Sequence, residues 1–381
     1  MRSSVATWAL LVGTFFGCKG SEDPGSDPLL DSDDNGEYGN FDPEHMVQIE
    51  LTMAEEDWDS LRYETQNFVT ALGGDCMDEP VGRDYTEFEA GITMDGESLD
   101  LIRVRKKGLI GSQSTEKPSL SINLDEYVDG AELFGTDNLV LNNGVQDPSL
   151  IRQCLTYGLF SQAGLAASRC NFARVSMNDE LLGIYVHVEP VKPKMLRDHF
   201  GDDSGDLYEG GLSDFREGWI DTFDPDTDET DTEFGEIQAL TDALESDDDL
   251  FDALEPHLDI EQFMSFWAME TITGHWDSYT GNKNNFFVYD NPESDTFVFM
   301  PWGVDGALQS SSEGAGPDTW VPVSSTLAVH FLDNDDGAAM FEERVFELLD
   351  EIWDEDAILA EADRMEELLA TEIEIDDDMA D

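Results

Sequence analysis

Residues 274–290 read GHWDSYTGNKNNFFVYD, where an aspartate and three asparagines come directly before an apolar, aromatic run. Asparagine is a poor former of helices and strands because its short amide competes with the backbone for hydrogen bonds. Packing alone therefore does not explain Asn282, Asn284 and Asn285 so close to Asp277. Two interpretations fit the pattern: a turn between a helix and the following strand, or an oxygen-rich ligand site.

The composition indicates a globular and strongly acidic protein. The chain has 381 residues, of which 40% are hydrophobic, and its 8 Trp and 22 Phe are enough for a sizeable core. It carries 87 acidic and 19 basic residues, a formal net charge of −68. This charge repels nucleic acid phosphates, so nucleic-acid binding is excluded. Divalent counter-ions, basic substrates, a saline setting and plain solubility are all compatible with it.

The N-terminus is typical of an export signal. Residues 1–18 contain a basic residue, an apolar stretch and then a small residue before Cys18. This ending resembles the lipobox of bacterial lipoproteins, although Phe15 and Phe16 depart from the usual residues. The apolar stretch is too short to span a bilayer comfortably, and an uncleaved anchor is the alternative. We expect an exported, membrane-anchored lipoprotein, periplasmic or at the cell surface, whose only membrane contact is the lipid on Cys18.

An acidic flexible tether is predicted for residues 19–41, which are rich in Gly, Pro, Ser and Asp. Its end overlaps the sequence DSDDNGEYGNFD at 31–42, which places acids and an amide at ligand positions of the calcium-loop pattern and a glycine at its turn position. Because no amphipathic helix flanks it, an acidic spacer that matches by composition is the alternative to Ca²⁺ binding.

The cysteines predict one disulfide in an exported chain. If Cys18 carries lipid, three cysteines remain. Cys154 lies on an apolar helical stretch, where a cysteine is usually small and buried. We therefore expect Cys76 to pair with Cys170.

Strand and helix patterns alternate after the tether and predict an α+β fold. The N-terminal part is strand-rich, with hairpin turns at Asp95–Gly96 and Asn178–Asp179, and the C-terminal part is helix-rich. The patterns indicate a folded domain at 42–353, followed by an acidic helical segment at 354–381.

Basic residues are scarce, but several gather in the segment 103–117, which also contains glycines and serines. A Gly/Ser-rich turn presents backbone N–H groups to phosphate, so this segment is a candidate anion site. Lysines at a strand edge also discourage aggregation, and this is the alternative explanation.

The spacing of Asp277, Asn282 and Asp305 follows the logic of a phosphoryl-transfer site. Protein kinases place a metal-binding Asn five residues after the catalytic Asp, and a second metal-binding Asp after a short β element. The sequence HWDSYTGN resembles the kinase catalytic loop, with Trp276 in place of its Arg, and Asp305 is followed directly by Gly306. A carboxylate and an amide can hold Mg²⁺ and leave room for phosphate oxygens.

Five segments in the same order resemble the spore coat protein H (CotH) kinase family. The resemblance implies an atypical protein kinase with a remote kinase-like fold, which uses ATP and Mg²⁺ or Mn²⁺ to phosphorylate Ser/Thr-rich surface or secreted proteins. The segments are RVRKKGLIGSQSTEKPSLSINLDE (103–126), NLVLNNGVQDPSLIRQCLTYGLFSQAGL (138–165), ARVSMNDELLGIYVHVEPV (173–191), residues 274–290 and FVFMPWGVDGAL (297–308).

The resemblance also implies roles for individual residues. Lys117 matches the ATP-phosphate lysine, Asp277 the catalytic aspartate and Asp305 the metal-binding aspartate. Glu189 matches a family glutamate, and we expect it to pair with Lys117. Asn282 as a metal ligand follows from the kinase-like spacing, and the two asparagines after it are alternatives.

One departure from the family pattern supports a second hypothesis. Family members commonly carry two acids in the segment P-W-D-x-D, whereas this chain has Gly303 at the first of them and keeps Asp305 alone. A catalytically inactive CotH-like surface scaffold or assembly protein, stabilised by Ca²⁺, is therefore the alternative to an active kinase.

Overall fold

The computed structural model describes residues 39–66, 85–109, 111–227, 230, 232–309 and 323–377. The predicted lipidation site Cys18, the predicted disulfide partner Cys76 and most of the calcium-loop pattern lie outside these residues. No helix in the described ranges combines the length and apolar character needed to cross a membrane.

The N-terminal part is a closed seven-stranded barrel with the strand order β1-β2-β3-β4-β5-β7-β6. β1 and β6 close it in parallel, and the other neighbours are antiparallel. The strands are Met46–Thr52 (β1), Glu87–Met94 (β2), Glu97–Lys107 (β3), Ser119–Asn123 (β4), Asn138–Asn142 (β5), Cys170–Met177 (β6) and Glu180–Val188 (β7).

Both predicted hairpin turns are confirmed. Asp95 and Gly96 join β2 to β3, and Asn178 and Asp179 join β6 to β7. All four residues have positive φ, between 46° and 89°. Two consecutive positive φ angles give a two-residue turn whose twist matches that of the flanking strands, and Asn, Asp and Gly tolerate this conformation.

Alternate residues of each strand point into the barrel. These inward residues are mostly hydrophobic, so the interior is apolar. On β3, Ile102 and Val104 belong to the interior cluster, which also contains Tyr185 of β7. Lys106 has the same parity as these residues and is buried, and its Nζ donates to the carbonyls of Arg62 and Glu64. The next residue, Lys107, therefore lies on the outer face of the barrel wall.

A four-stranded antiparallel sheet with the order β11-β10-β8-β9 lies in the second half of the chain. The aromatic run after Asn285 forms β10, and the apolar residues around Phe299 form β11. Gln262 protects the edge strand β11, because its side chain donates to Phe299 O and accepts from Phe299 N. The strands are Leu207–Gly210 (β8), Phe223–Pro225 (β9), Phe286–Asn291 (β10) and Thr296–Pro301 (β11).

Most of the helices follow the barrel and pack around this sheet, so the predicted α+β arrangement is confirmed. The apolar helix α6 is central, and its Trp267 stacks on Phe341 of α9 with ring centroids 3.7 Å apart. The helices are Glu55–Tyr63 (α1), Arg152–Gln162 (α2), Pro193–Phe200 (α3), Gly235–Leu244 (α4), Leu250–Leu254 (α5), Ile260–Ile272 (α6), Tyr279–Asn282 (α7), Thr326–Asp333 (α8), Asp335–Glu351 (α9) and Glu355–Asp377 (α10).

The C-terminal helix α10 packs on the same core as α6 and α9. Met365 and Leu369 are buried in that core. Arg364 donates to the carbonyl of Pro43, just before β1, so α10 also contacts the start of the barrel.

The disulfide prediction was wrong about the partner of Cys170. The structure joins Cys170, at the start of β6, to Cys154 on α2, with Cα atoms 5.0 Å apart. Helix α2 packs against β6, and this contact brings the two cysteines together. The apolar sequence around Cys154 is typical of an unpaired core cysteine, because it gives no sign of which strand the helix covers.

Candidate functional site

The loop between α6 and β10 carries Asp277. It begins with the buried His275, and Ser278 starts the short helix α7 by accepting a hydrogen bond from Gly281 N. Lys283 and Asn285 then have positive φ angles of 58° and 53°, which turn the chain into β10. An asparagine tolerates such an angle better than most residues, so part of the amide pattern reflects the turn.

The other part of the amide pattern serves Asp277. Nδ2 of Asn282 donates to Asp277 Oδ1 at 2.6 Å, and Nδ2 of Asn284 reaches the same oxygen at 3.3 Å. Nδ2 of Asn285 donates to Asp277 Oδ2 at 3.1 Å and to its backbone carbonyl at 2.8 Å. Three amides therefore fix both carboxylate oxygens, so the asparagines serve the Asp277 carboxylate as well as the turn, and the ligand site stays a prediction.

A buried acid anchors this loop from α6. Glu270 is fully buried and accepts hydrogen bonds from the backbone N–H groups of Tyr279 and Thr280, each at 3.2 Å, and from the Thr280 hydroxyl. These donors lie in the first turn of α7, where backbone N–H groups lack partners within the helix. Sequence reasoning missed Glu270, although a lone acid within the apolar run FMSFWAMETIT was a usable signal.

Asp305 follows β11 in a single helical turn, Val304–Gly306. Gly303 enters this turn with a φ of 52°, and Trp302 N donates to Asn285 O at 3.2 Å, which ties the turn to the Asp277 loop. Tyr157 of α2 packs against the same turn, and burial and then the charge of Asp305 raise the pKa of its hydroxyl.

The two aspartates form an electrostatically strained pair. Burial, together with the negative charges of Asp277 and Asp147, raises the pKa of Asp305 to about 6, although a backbone hydrogen bond and the charge of Lys107 act to lower it. Burial also raises the pKa of Asp277, against the lowering effect of its three amide donors. Two neighbouring carboxylates repel each other when both are ionised. A divalent cation bound beside them would offset this repulsion.

The donor set fits Mg²⁺ or Mn²⁺ bound together with phosphate. Within the described ranges, no three His, Cys, Asp or Glu side chains gather as a metal-binding group. Mg²⁺ is usually held by one or two carboxylates and completes its octahedral shell with water and phosphate oxygens. Asp305 supplies such a carboxylate, and Asn282, whose Nδ2 donates to Asp277, has a carbonyl oxygen of the hard type that these cations prefer.

The fold brings Lys107 close enough to Asp305 for its positive charge to lower the pKa of that carboxyl. Its Nζ donates to Asn142 Oδ1 at 3.0 Å and lies 5.2 Å from the centroid of the Trp302 ring. Sequence reasoning placed Lys107 only in a general basic segment, because spacing along β3 does not say which wall of the barrel faces Asp305.

The described side-chain contacts of Lys117 are with β7. Its Nζ donates to the carbonyl of Ile184 at 2.5 Å and sits over the ring of Tyr185, 4.9 Å from its centroid. Tyr185 belongs to the interior of the barrel. The described contacts of Lys117 are therefore on the inner side of the barrel wall, whereas Lys107 is on the outer side.

The expected pairing of Glu189 with Lys117 was wrong. The carboxylate of Glu189 accepts from the guanidinium of Arg169 at 2.5 and 3.0 Å and from Arg169 N at 3.1 Å. Lys117 binds β7 at Ile184, five residues before Glu189, and a strand advances about 3.3 Å per residue. The two groups are therefore separated by about 16 Å of strand.

Comparison with known proteins supports one family. A sequence model described as CotH kinase protein matches residues 102–381, well over half of the chain and all of the site described above. The inner spore coat protein H of Bacillus subtilis (strain 168) is 24% identical over 217 residues, which is 52% of this chain and 58% of that protein.

Two proteins of the fungus Rhizopus delemar (strain RA 99-880) are also similar. Spore coat protein homolog 1 is 28% identical over 38% of this chain and 26% of its own length. Invasin CotH7 is 24% identical over 40% of this chain and 28% of its own length. The matched region thus spans little more than half of the bacterial relative and about a quarter of the fungal ones. From the extent of the family match, the chain belongs to the CotH kinase protein family.

Proposed function

We propose that this chain is an exported, lipid-anchored protein kinase with a kinase-like fold. It transfers the γ-phosphate of ATP to Ser or Thr of surface or secreted proteins in the presence of Mg²⁺ or Mn²⁺. The observation that carries the proposal is the pairing of Asp277, held by three amides, with Asp305 at the end of β11. Family membership supports the reaction class.

Asp277 acts on the substrate hydroxyl in this proposal. Its carboxylate orients the hydroxyl and takes its proton as the oxygen attacks the γ-phosphate. The amides of Asn282, Asn284 and Asn285 hold the carboxylate in one orientation, so little reorganisation is needed during the reaction. A pKa raised by burial suits this role, because a base closer to neutral pH accepts a proton more readily.

Asp305 acts on the nucleotide. Together with Asn282 it would hold Mg²⁺ or Mn²⁺, which supplies charge neutralisation for the β- and γ-phosphates when bound. Without a cation, a triphosphate would meet two carboxylates that already disfavour each other's charge. Nucleotide binding should therefore depend strictly on divalent metal.

The protein's location and substrate are part of the same proposal. The export signal and Cys18 would place it on the outer side of a bacterial membrane. The Bacillus relative is named as a spore coat protein, and we infer a surface setting here as well. Because the proposed reaction phosphorylates Ser or Thr, its proposed substrates are proteins with Ser/Thr-rich segments.

A catalytically inactive scaffold remains the second candidate, and Gly303 favours it. At this position the family pattern has an acid, so this chain offers one carboxylate fewer beside Asp305. The space next to Gly303 is filled by Asn285, whose Oδ1 would lie 2.5 Å from a Cβ at this position. In this alternative the amides and aspartates only shape the loop, and Ca²⁺ at residues 31–42 stabilises the protein.

Isothermal titration calorimetry with ATP separates the two candidates. The kinase proposal predicts binding with Mg²⁺ or Mn²⁺ and none in EDTA. A phosphotransfer assay with radiolabelled ATP, on the protein itself and on Ser/Thr-rich peptides, then tests the reaction. Equal heats with metal and EDTA, or no binding in either, would refute the kinase. Metal-dependent binding without transfer would favour the inactive scaffold.

A further inference from the structure

We propose that Ser324 is a phosphorylation site of this chain and that Lys283 binds the phosphate. The donor is a second copy of the chain that carries ATP, so the inference rests on the proposed function. Ser324 lies shortly before α8, and Lys283 directly follows the short helix α7, in the loop that carries Asp277. The modification would therefore act beside the candidate catalytic aspartate.

The partner of Lys283 is the first reason. Its ammonium group is half-buried, and its Nζ donates to the hydroxyl of Ser324 at 2.8 Å. Within the described ranges Lys283 takes part in no ion pair, in contrast to Lys192, which pairs with Asp226. A lysine held against a neutral hydroxyl, in a chain with a net charge of −68, has its positive charge available for a phosphate on that hydroxyl.

The position of Ser324 is the second reason. Its side chain is exposed, so another molecule can reach the hydroxyl. Its backbone is held against α7 of its own chain, because Ser324 N and Ser325 N both donate to Thr280 O, at 2.8 and 3.3 Å. To enter its own site, Ser324 would have to break these bonds. The donor is therefore a second copy of the chain.

The transfer follows the chemistry of the proposed function. A bond forms between Ser324 Oγ and the γ-phosphorus of ATP, and the bond from that phosphorus to the β-phosphate oxygen breaks. ADP leaves, and the hydroxyl proton passes to the second copy's Asp277.

The phosphate would strengthen the contact between Ser324 and the Asp277 loop. The hydroxyl donates to Gly281 O at 2.7 Å, and this bond is lost on phosphorylation. In exchange, Lys283 gains a partner with a charge of about −2 and several strong acceptor oxygens. Hydrogen bonds to ionised groups are about twice as strong as those between neutral ones. Lys283 follows Asn282, whose amide holds the Asp277 carboxylate, so the new ion pair fixes the end of α7 next to the candidate site.

Mass spectrometry after incubation with ATP and Mg²⁺ tests the modification. Salt at about 0.15 M limits the repulsion between two acidic copies to a range of about 8 Å. We expect phosphate on Ser324 of the parent, and on Ser324 of an Asp277→Ala protein only when the parent is also present. Ser294 is the matched control, because it is exposed but its hydroxyl accepts from the neutral Thr296, and it should stay unmodified.

A second measurement tests the role of Lys283 and does not depend on the activity of the chain. Phosphoserine placed at position 324 during synthesis should raise the melting temperature by about 1–2 °C. The gain should vanish in Lys283→Gln and persist in Lys283→Arg, which keeps the positive charge. Phosphoserine at position 294 should give no gain, because no lysine meets that hydroxyl.

The two measurements separate this inference from the proposed function. Phosphate transfer to peptides or to other residues but not to Ser324 overturns the inference and leaves the kinase standing. A gain in melting temperature that persists in Lys283→Gln, or no gain at all, refutes Lys283 as the group that binds the phosphate. If no acceptor receives phosphate, the kinase is refuted and self-phosphorylation with it.

Discussion

The substitution Glu270→Gln should destabilise the protein at low pH and stabilise it at high pH. Burial raises the pKa of Glu270 to about 8 from its ordinary value of 4.5, more strongly than the hydrogen bonds from Thr280, Ser278 and Tyr279 lower it. Between these values the folded protein keeps the carboxyl proton and the unfolded chain has lost it. Unfolding then releases a proton, so the free energy of unfolding falls as the pH rises through this window.

The size of the effect follows from the pKa difference. At about 1.4 kcal/mol per pH unit, the shift from 4.5 to 8 corresponds to up to about 5 kcal/mol of stability, present below pH 4.5 and lost above pH 8. Glutamine cannot titrate, but its NH₂ group cannot accept from Thr280 N, which costs about 1–3 kcal/mol at every pH. The variant should therefore be less stable than the parent at pH 5 and more stable above pH 8.

The assay is the difference in melting temperature between variant and parent from pH 5 to 9. Using this difference removes the general pH dependence of a chain with a net charge of −68. Glu261→Gln, an exposed site on the same helix, is the matched control and should show a difference that does not vary with pH. A constant difference for Glu270→Gln would show that this carboxyl is ionised in the folded protein and that its burial does not govern its charge.

Three further changes test the site and the fold. Asp305→Ala should abolish metal-dependent ATP binding in calorimetry, whereas Asp277→Ala should keep ATP affinity within about tenfold and lower phosphate transfer about a hundredfold or more; equal losses in both variants would contradict the separate roles. Cys154→Ser should lower the free energy of unfolding by about 2–4 kcal/mol, because the disulfide closes a loop of 16 residues, and an unchanged urea midpoint would contradict this. Gly303→Asp should destabilise the protein by about 1–3 kcal/mol in the same assay, because the new side chain meets Asn285 at a backbone with positive φ; an unchanged midpoint would mean that the asparagine moves away without cost.

Local features of the sequence predicted local features of the structure. The hairpin turns at Asp95–Gly96 and Asn178–Asp179 are confirmed because a two-residue turn with positive φ depends on those residues themselves. The contacts of Asp277 with Asn282 and its neighbours also lie within eight residues, where chain connectivity alone keeps the partners close. The α+β arrangement followed from strand and helix periodicity in the same way.

The tertiary structure alone decided which distant residues meet. The sequence indicated Cys76 as a disulfide partner, whereas the structure joins Cys154 to Cys170. It also gave no sign that Lys107 lies close enough to Asp305 for its charge to lower the pKa of that carboxyl. Each outcome depends on which face of a strand points outwards and on which strand a helix covers. A shift of one residue in a strand reverses its faces, so these contacts are fixed by the closure of the barrel and by helix packing, which spacing along the chain does not encode.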